Sequence, residues 1–437
     1  MKREIMNLKG KEYWRSLDQL SDTPEFQDFL NREFPEGASE LKGQMNRRKF
    51  LTLMGASMAL AGLTACRKPV EKIVPYVKSP EEILPGIPQF YATTMPFGLS
   101  AYGVLVESHE GRPTKIEGNE KHPSTLGKAN TFMQAAILGL YDPDRSQKPK
   151  YNGEKKEWFD FLAFWKGLYP TLIEEKGKGF AILTESFASP TLFRLKQEFL
   201  KKFPQAKWYV YEPVSHKNIL EGLKAATGSA YLPVYKIDHA NVILALDSDF
   251  MQSENENIIN ARGFIKGRAV KNKNDAMNRL YAVESNYTMT GGMADHRKLL
   301  PSIHIGLFLN SLIVELKKQG LSVAGTENIS RHDDFNFDEK WIYVLAKDLL
   351  DNKGESLVIA GKGQPASVHA LVFALNDALG NNSKTVAYHF PKDANLDSFS
   401  GMTELVDGLQ AGQIKTLAIL GGNPVYNAPV DLKFKEA

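Results

Sequence analysis

The chemistry legible in this 437-residue chain starts at its single cysteine, Cys66. Arg47-Arg48-Lys49-Phe50-Leu51 opens an apolar run that closes in Leu63-Thr64-Ala65-Cys66. The paired-arginine start, the moderately hydrophobic stretch and the cysteine after two small residues, in that order, predict export of a folded chain and acylation of the thiol. Arg47, Arg48, Phe50, Leu51 and Leu63 are then targeting residues, and Cys66 is the lipidated first residue of the mature protein. Two or three acyl chains, each buried methylene contributing about 0.8 kcal/mol, would hold the chain firmly to a membrane. A basic turn before a short buried helix would use the arginine pair equally well; the order of the parts around one cysteine favours the signal.

That same cysteine count limits everything else. A lone thiol excludes an intrachain disulfide and any cluster held by four thiolates of these residues. The formal charge is +3, with Lys and Arg interleaved among Asp and Glu, so no electrostatic footprint for nucleic acid is present. No apolar run reaches the roughly 20 residues that span a bilayer, and the longest candidate, Phe50 to Ala65, has the length of a signal segment.

Four further places have strand-to-turn chemistry. In Leu357-Val358-Ile359-Ala360-Gly361-Lys362-Gly363-Gln364-Pro365 a strand runs into a Gly-x-Gly turn before a helix, where backbone amides can hold a phosphate. The third glycine of the dinucleotide pattern is missing, and Gly361 and Gly363 also suit a tight structural turn. Gly421-Gly422-Asn423-Pro424 ends another strand. Asp247-Ser248-Asp249 and Thr290-Gly291-Gly292 occupy comparable positions. The nine histidines, at 109, 122, 216, 239, 296, 304, 332, 369 and 389, include no i, i+4 pair for a helical metal site. His332-Asp333-Asp334 reads as a solvated polar loop, and no nucleophile elbow marks a Ser-His-Asp triad. No catalytic residue and no metal ligand is predicted.

The elements that must position these turns follow from periodicity. A prefix, residues 1–44, has helical spacing at Trp14, Leu17 and Leu20, and a helix start at Thr23-Pro24-Glu25 ahead of Phe26, Phe29 and Leu30. Such a prefix either delays export until an assembly step is complete or is a tolerated extension. Residues 45–65 are the signal, and 66–98, with six prolines, read as a lipidated tether. A hairpin of Ala101–Glu107 and Thr114–Glu117 is expected around Glu110-Gly111-Arg112-Pro113. Beyond it, apolar runs at Phe180–Leu183, Trp208–Tyr211, Val242–Leu246, Tyr281–Val283, Leu357–Ala360, Val386–His389 and Leu417–Leu420 alternate with amphipathic stretches. The helices expected are Thr191–Lys202, Ile303–Lys318, Trp341–Leu350 and Ser367–Leu379. This alternation predicts an α/β body over 99–437, doubly wound with mostly parallel sheets in about two lobes, behind a small amino-terminal β region.

Gly111-Arg112-Pro113-Thr114-Lys115-Ile116-Glu117-Gly118-Asn119, then His122-Pro123, Gly127 and Tyr141-Asp142-Pro143-Asp144-Arg145, resembles the opening of the molybdopterin oxidoreductase family. Gly361-Lys362-Gly363 and Gly421-Gly422-Asn423-Pro424 resemble that family's pterin-nucleotide loops. The resemblance implies the family fold over most of residues 100–437, with Gly361, Gly363, Gly421, Gly422 and Asn423 as vestigial cofactor-binding positions. Ala129-Asn130 stands where a family cysteine is expected, the upstream cysteines are absent, and no cysteine accompanies the loops as a molybdenum ligand.

Prefix, twin-arginine signal, lipobox and cluster-less body together resemble the amino-terminal part of the large iron–sulfur subunits of bacterial alternative complex III. That resemblance implies a lipid-anchored part of a quinol-oxidising respiratory complex on the periplasmic face of the inner membrane, passing electrons to cytochrome c or an oxidase. It implies iron–sulfur clusters in a further carboxy-terminal domain, with 437 as a cut end, and no redox cofactor in this segment. The partners implied are membrane lipid, integral quinol-binding subunits, haem c subunits and a terminal oxidase. The alternatives are a periplasmic molybdopterin enzyme with an Asp or Ser metal ligand, and a lipoprotein that binds a nucleotide at Gly361 and Gly363.

Overall fold

The computed structural model describes residues 78, 81, 83–331, 337–391 and 399–437. The prefix, the signal and Cys66 lie outside the described residues, as does His332-Asp333-Asp334. The first element, β1 (Gln89–Phe97), falls inside the stretch read as tether. It pairs antiparallel with β2 (Ser100–His109) along its whole length, which in turn pairs with β3 (Arg112–Gly118). The tether reading therefore ran too far. Its prolines drew attention away from Phe90, Tyr91 and Thr93–Met95, which have strand character. The β2–β3 turn is also tighter than expected. Glu110 and Gly111 both have positive φ, 51° and 81°, so they form the two-residue turn that matches strand twist, and Arg112 and Pro113 belong to β3.

A small hairpin, β4 (Lys150–Tyr151) and β5 (Glu154–Lys155), leads into helix α1 (Trp158–Glu174). The first parallel sheet follows, with order β14-β6-β7. Its strands are β6 (Phe180–Thr184), β7 (Lys207–Val210) and β14 (Thr416–Leu420). Alternate residues of β6 face opposite ways, as a strand requires. Phe180 and Ile182 join a core under α1 and α2 (Pro190–Lys202), whereas Ala181 and Leu183 join one with Met402 and Leu405 of the helix Phe399–Gln410.

The second parallel sheet has order β11-β10-β9-β12. It is built from β9 (Val242–Leu246), β10 (Arg279–Glu284), β11 (His296–Leu299) and β12 (Ser356–Ala360). Val242, Leu244 and Leu246 face the largest core, shared with Phe308, Leu312, Leu345 and Leu375. Ile243 and Ala245 face the other side, with Phe250 and Phe264. Both faces of β9 and β12 are buried, which is why these strands read as unbroken apolar runs.

The fold is thus α/β with mostly parallel sheets, and all seven expected strands are present. One runs differently. Val386–His389, β13, pairs antiparallel with β8 (Leu232–Tyr235), a strand the periodicity did not reveal. All four expected helices form. α2 spans Pro190–Lys202, and the other three are Ile305–Lys318, Glu339–Asp351 and Ala366–Ala378. Two more, α3 (Lys217–Thr227) and α4 (Asn257–Lys266), help build the site described next. We number the last four α5 (Ile305–Lys318), α6 (Glu339–Asp351), α7 (Ala366–Ala378) and α8 (Phe399–Gln410).

Candidate functional site

In an open parallel sheet, ligands bind beyond the strand carboxyl ends, where the strand order reverses. Here the chain leaves β9 toward β10 and β11, then returns to place β12 on the other side of β9, so the reversal lies between β9 and β12. Asp247 follows β9 with φ 51° and fills this place. Its Oδ1 accepts from the Ser285 amide at 3.1 Å and hydroxyl at 3.0 Å. Its Oδ2 accepts from Gln364 Nε2 at 3.0 Å and from the Ser302 hydroxyl. Gly361 is pressed onto the same loop, where an added Cβ would lie 1.9 Å from the Asp247 carbonyl oxygen. Gly361 is therefore a close-approach glycine, whereas Gly363 faces open space.

The other expected turns are filled the same way. Gly421 and Gly422, both with positive φ, lie against Glu185, with added Cβ positions 3.2 Å from its carboxylate and 3.3 Å from its Cγ. The cavity that Gly421, Gly422 and Asn423 line is small, with about 10 Å³ open to the centre of a water-sized sphere, room for about one water. Thr290 belongs to a helical turn, Met289–Gly292, and its amide and hydroxyl donate to Asp249 Oδ1 at 3.1 and 2.9 Å. Gly291 leaves room for the Glu284 carboxylate, which is buried and paired with Arg297 at 2.6 Å. Ala360 and Lys362, on either side of Gly361, line one cavity, and Gly421 and Gly422 line another.

Asn130, at the position where the resemblance expects a cysteine, caps a short helix. Its Oδ1 accepts from the Met133 amide at 2.8 Å. The motif around it packs tightly: Gly103 backs onto the His122 ring and Gly118 onto the Lys128 carbonyl, with added Cβ positions at 2.1 and 2.0 Å.

A cavity of about 480 Å³ opens beside these loops. Lys362 reaches it from the turn after β12, His216 from the start of α3 and His389 from the end of β13. Glu254, Glu256 and Asn260 line it from the entry and second turn of α4. Burial pushes the Glu254 carboxyl up to about 7, opposed by the charge of Lys362. Burial also raises Glu256, with His389 acting against it. The His216 imidazole is held down at about 4, first by burial and then by Lys362, so it is neutral at pH 7. Asn260 is buried, and its Oδ1 has no hydrogen-bond partner among the described residues. The lining thus brings Lys362, two histidines, Glu254, Glu256 and Asn260 to one space as hydrogen-bonding groups from separate elements. Of this set only the Gly361–Gly363 turn was legible as a site in the sequence. The others come from separate elements, and their shared signal is position just beyond a strand or at a helix start. Among the described residues no group of His, Cys, Asp and Glu has metal-site geometry, and no helix is long and apolar enough to cross a membrane.

No family model and no curated protein matches the chain. Among solved structures it is similar to acetylene hydratase from Pelobacter acetylenicus, with a TM-score of 0.47 and 15% identity over 65% of this chain and 43% of that one. The match therefore spans less than half of that enzyme's length.

Proposed function

We propose that this chain is the lipid-anchored, redox-silent scaffold of a quinol-oxidising respiratory complex of the alternative complex III kind. In that reading Cys66 holds it at the periplasmic face of the inner membrane. It seats a cluster-bearing domain and haem c subunits against integral quinol-binding subunits, and electrons pass to cytochrome c or an oxidase elsewhere in the assembly. The observation that carries the reading is that the chain's own acids fill the strand-end turns. Asp247 takes the Ser285, Ser302 and Gln364 donors, and Glu185 lies against Gly421 and Gly422. A pterin nucleotide would bring its phosphates to these places, so the residues present do not fit it. The single cysteine within a lipobox and the resemblance of residues 111–145 support the same reading.

The test is to purify the native membrane assembly and measure molybdenum and pterin per polypeptide, together with the mass of the modified amino terminus. Background levels of both, with acylated Cys66, are expected. Stoichiometric pterin and metal would make this a molybdopterin enzyme with a non-cysteine ligand and overturn the scaffold. Saturable nucleotide binding without metal would overturn it in favour of a nucleotide-binding lipoprotein.

A further inference from the structure

Helix α1 opens with Trp158-Phe159-Asp160-Phe161-Leu162-Ala163-Phe164-Trp165 and buries only part of its circumference. Leu172 is buried, and Trp165, Leu168 and Tyr169 pack against the core around Phe180. Trp158, Phe159, Phe161 and Phe164 stay exposed, Phe159 by 80% and Trp158 by 60%. The hairpin before the helix adds Tyr151, 59% exposed. Tyr151 faces Phe161 and Phe164 across a groove of about 390 Å³. Tyr151, Phe161 and Phe164, with Trp158 whose ring centroid lies 5.0 Å from that of Phe161, put four large rings on one exposed surface, which marks an interaction site, whereas the helix period turns Phe159 away from the groove.

The charges around the rings identify what they meet. Lys150 and Lys156 line the groove together with Asp160, Lys155 stands opposite Lys150 in the hairpin register, and Lys148 precedes the hairpin. Lys148 pairs with Glu157 and Lys156 with Glu154, whereas Lys150, Lys155 and Lys166 make no ion pair among the described residues. Asp160 is engaged locally, accepting from the Glu157 amide at 2.8 Å. Protein–protein interfaces are enriched in aromatic residues but depleted in lysine. The boundary of an anionic bilayer takes both, since Trp and Tyr settle at headgroup depth and lysine stems extend to the phosphates.

We propose that the Tyr151–Lys166 surface docks on an anionic phospholipid bilayer, its rings at headgroup depth and its free lysines on lipid phosphates. The proposal rests on the lipid-anchor reading only for the presence of a membrane nearby.

The full chain carrying Cys66→Ser, which cannot be acylated, is sedimented with vesicles of phosphatidylcholine alone or mixed with phosphatidylglycerol. Binding to the anionic vesicles is expected to fall roughly tenfold in high salt, and as much for Lys150→Glu with Lys155→Glu or Tyr151→Ser with Trp158→Ser. Thermal melts of these surface variants should match the parent. Equal binding by parent and variants, or no binding, overturns the proposal. A photo-cross-linking residue at Tyr151 in native membranes should label lipid; labelling of another polypeptide instead overturns it in favour of a protein partner. Loss of the anchor reading would look different, as an unacylated native Cys66 alongside surface-dependent vesicle binding.

Discussion

Gly361 and Gly363 stand two residues apart in one turn, yet they carry unequal constraints. Gly361→Ala would drive a methyl into the Asp247 carbonyl and should cost about 2–4 kcal/mol, whereas Gly363→Ala should change stability by under about 1 kcal/mol. Urea unfolding of the two variants checks this contrast. His369, buried with Nε2 unpartnered, is held down at about 4 by its burial, partly offset by a backbone hydrogen bond. Its folded value lies below the ordinary 6.5, so the unfolded chain takes up the proton first and stability falls as pH drops from about 6.5 toward 4. His369→Gln should flatten that loss by up to about 3 kcal/mol, read from denaturation midpoints across the window. His216 acts in the same sense and remains, so the flattening is partial; Glu254, raised by burial, acts in the opposite sense. At this scale the sequence displayed the glycines but not their neighbours. Whether Gly361 approaches a ligand or Asp247 depends on a loop 114 positions away.

β12 is an edge strand of the second sheet, and α7 closes its open side. Asn376 accepts from the Val358 amide at 3.0 Å and donates to the Val358 carbonyl at 2.8 Å, replacing a neighbouring strand at that residue. Asn381 in turn donates to Asn376 Oδ1 at 2.9 Å. Asn376→Leu would leave both backbone groups of Val358 buried without partners and should destabilise by about 2–4 kcal/mol. Chemical denaturation measures the loss, and hydrogen exchange should show faster opening at β12. Elements were the most legible level, because β6, β9, β10 and β12 are buried on both faces and their apolar runs stand out. The misses have physical reasons. β1 contains Pro96 and mostly exposed residues, and β8 contains Pro233 and is only half-buried. β13 was found but not its direction, which no run of apolar residues encodes. α3 was missed although it packs against α7, where Gly222 brings the helices together; its added Cβ would lie 2.3 Å from the Ala366 carbonyl oxygen.

For the whole molecule, the α/β architecture was legible because two kinds of period alternate along the chain. Where the carboxyl ends of its strands lie relative to one another was not, since the cavity draws on β8, β12, β13, α3 and α4 at once. The acids at those strand ends bear on how the fold is maintained. A protein whose site is completed by a bound anion gains stability from that anion by mass action, and loses it on dilution. Here Asp247 is covalently part of the chain, and its Ser285, Ser302 and Gln364 contacts are intramolecular. The melting temperature should therefore be unchanged after exhaustive dialysis or on adding excess nucleotide or phosphate, in contrast to the several-degree rise of a ligand-dependent domain. Calorimetry before and after dialysis measures it. On the proposed scaffold reading, a chain built in this way reaches its final stability at synthesis and needs no loading step before export.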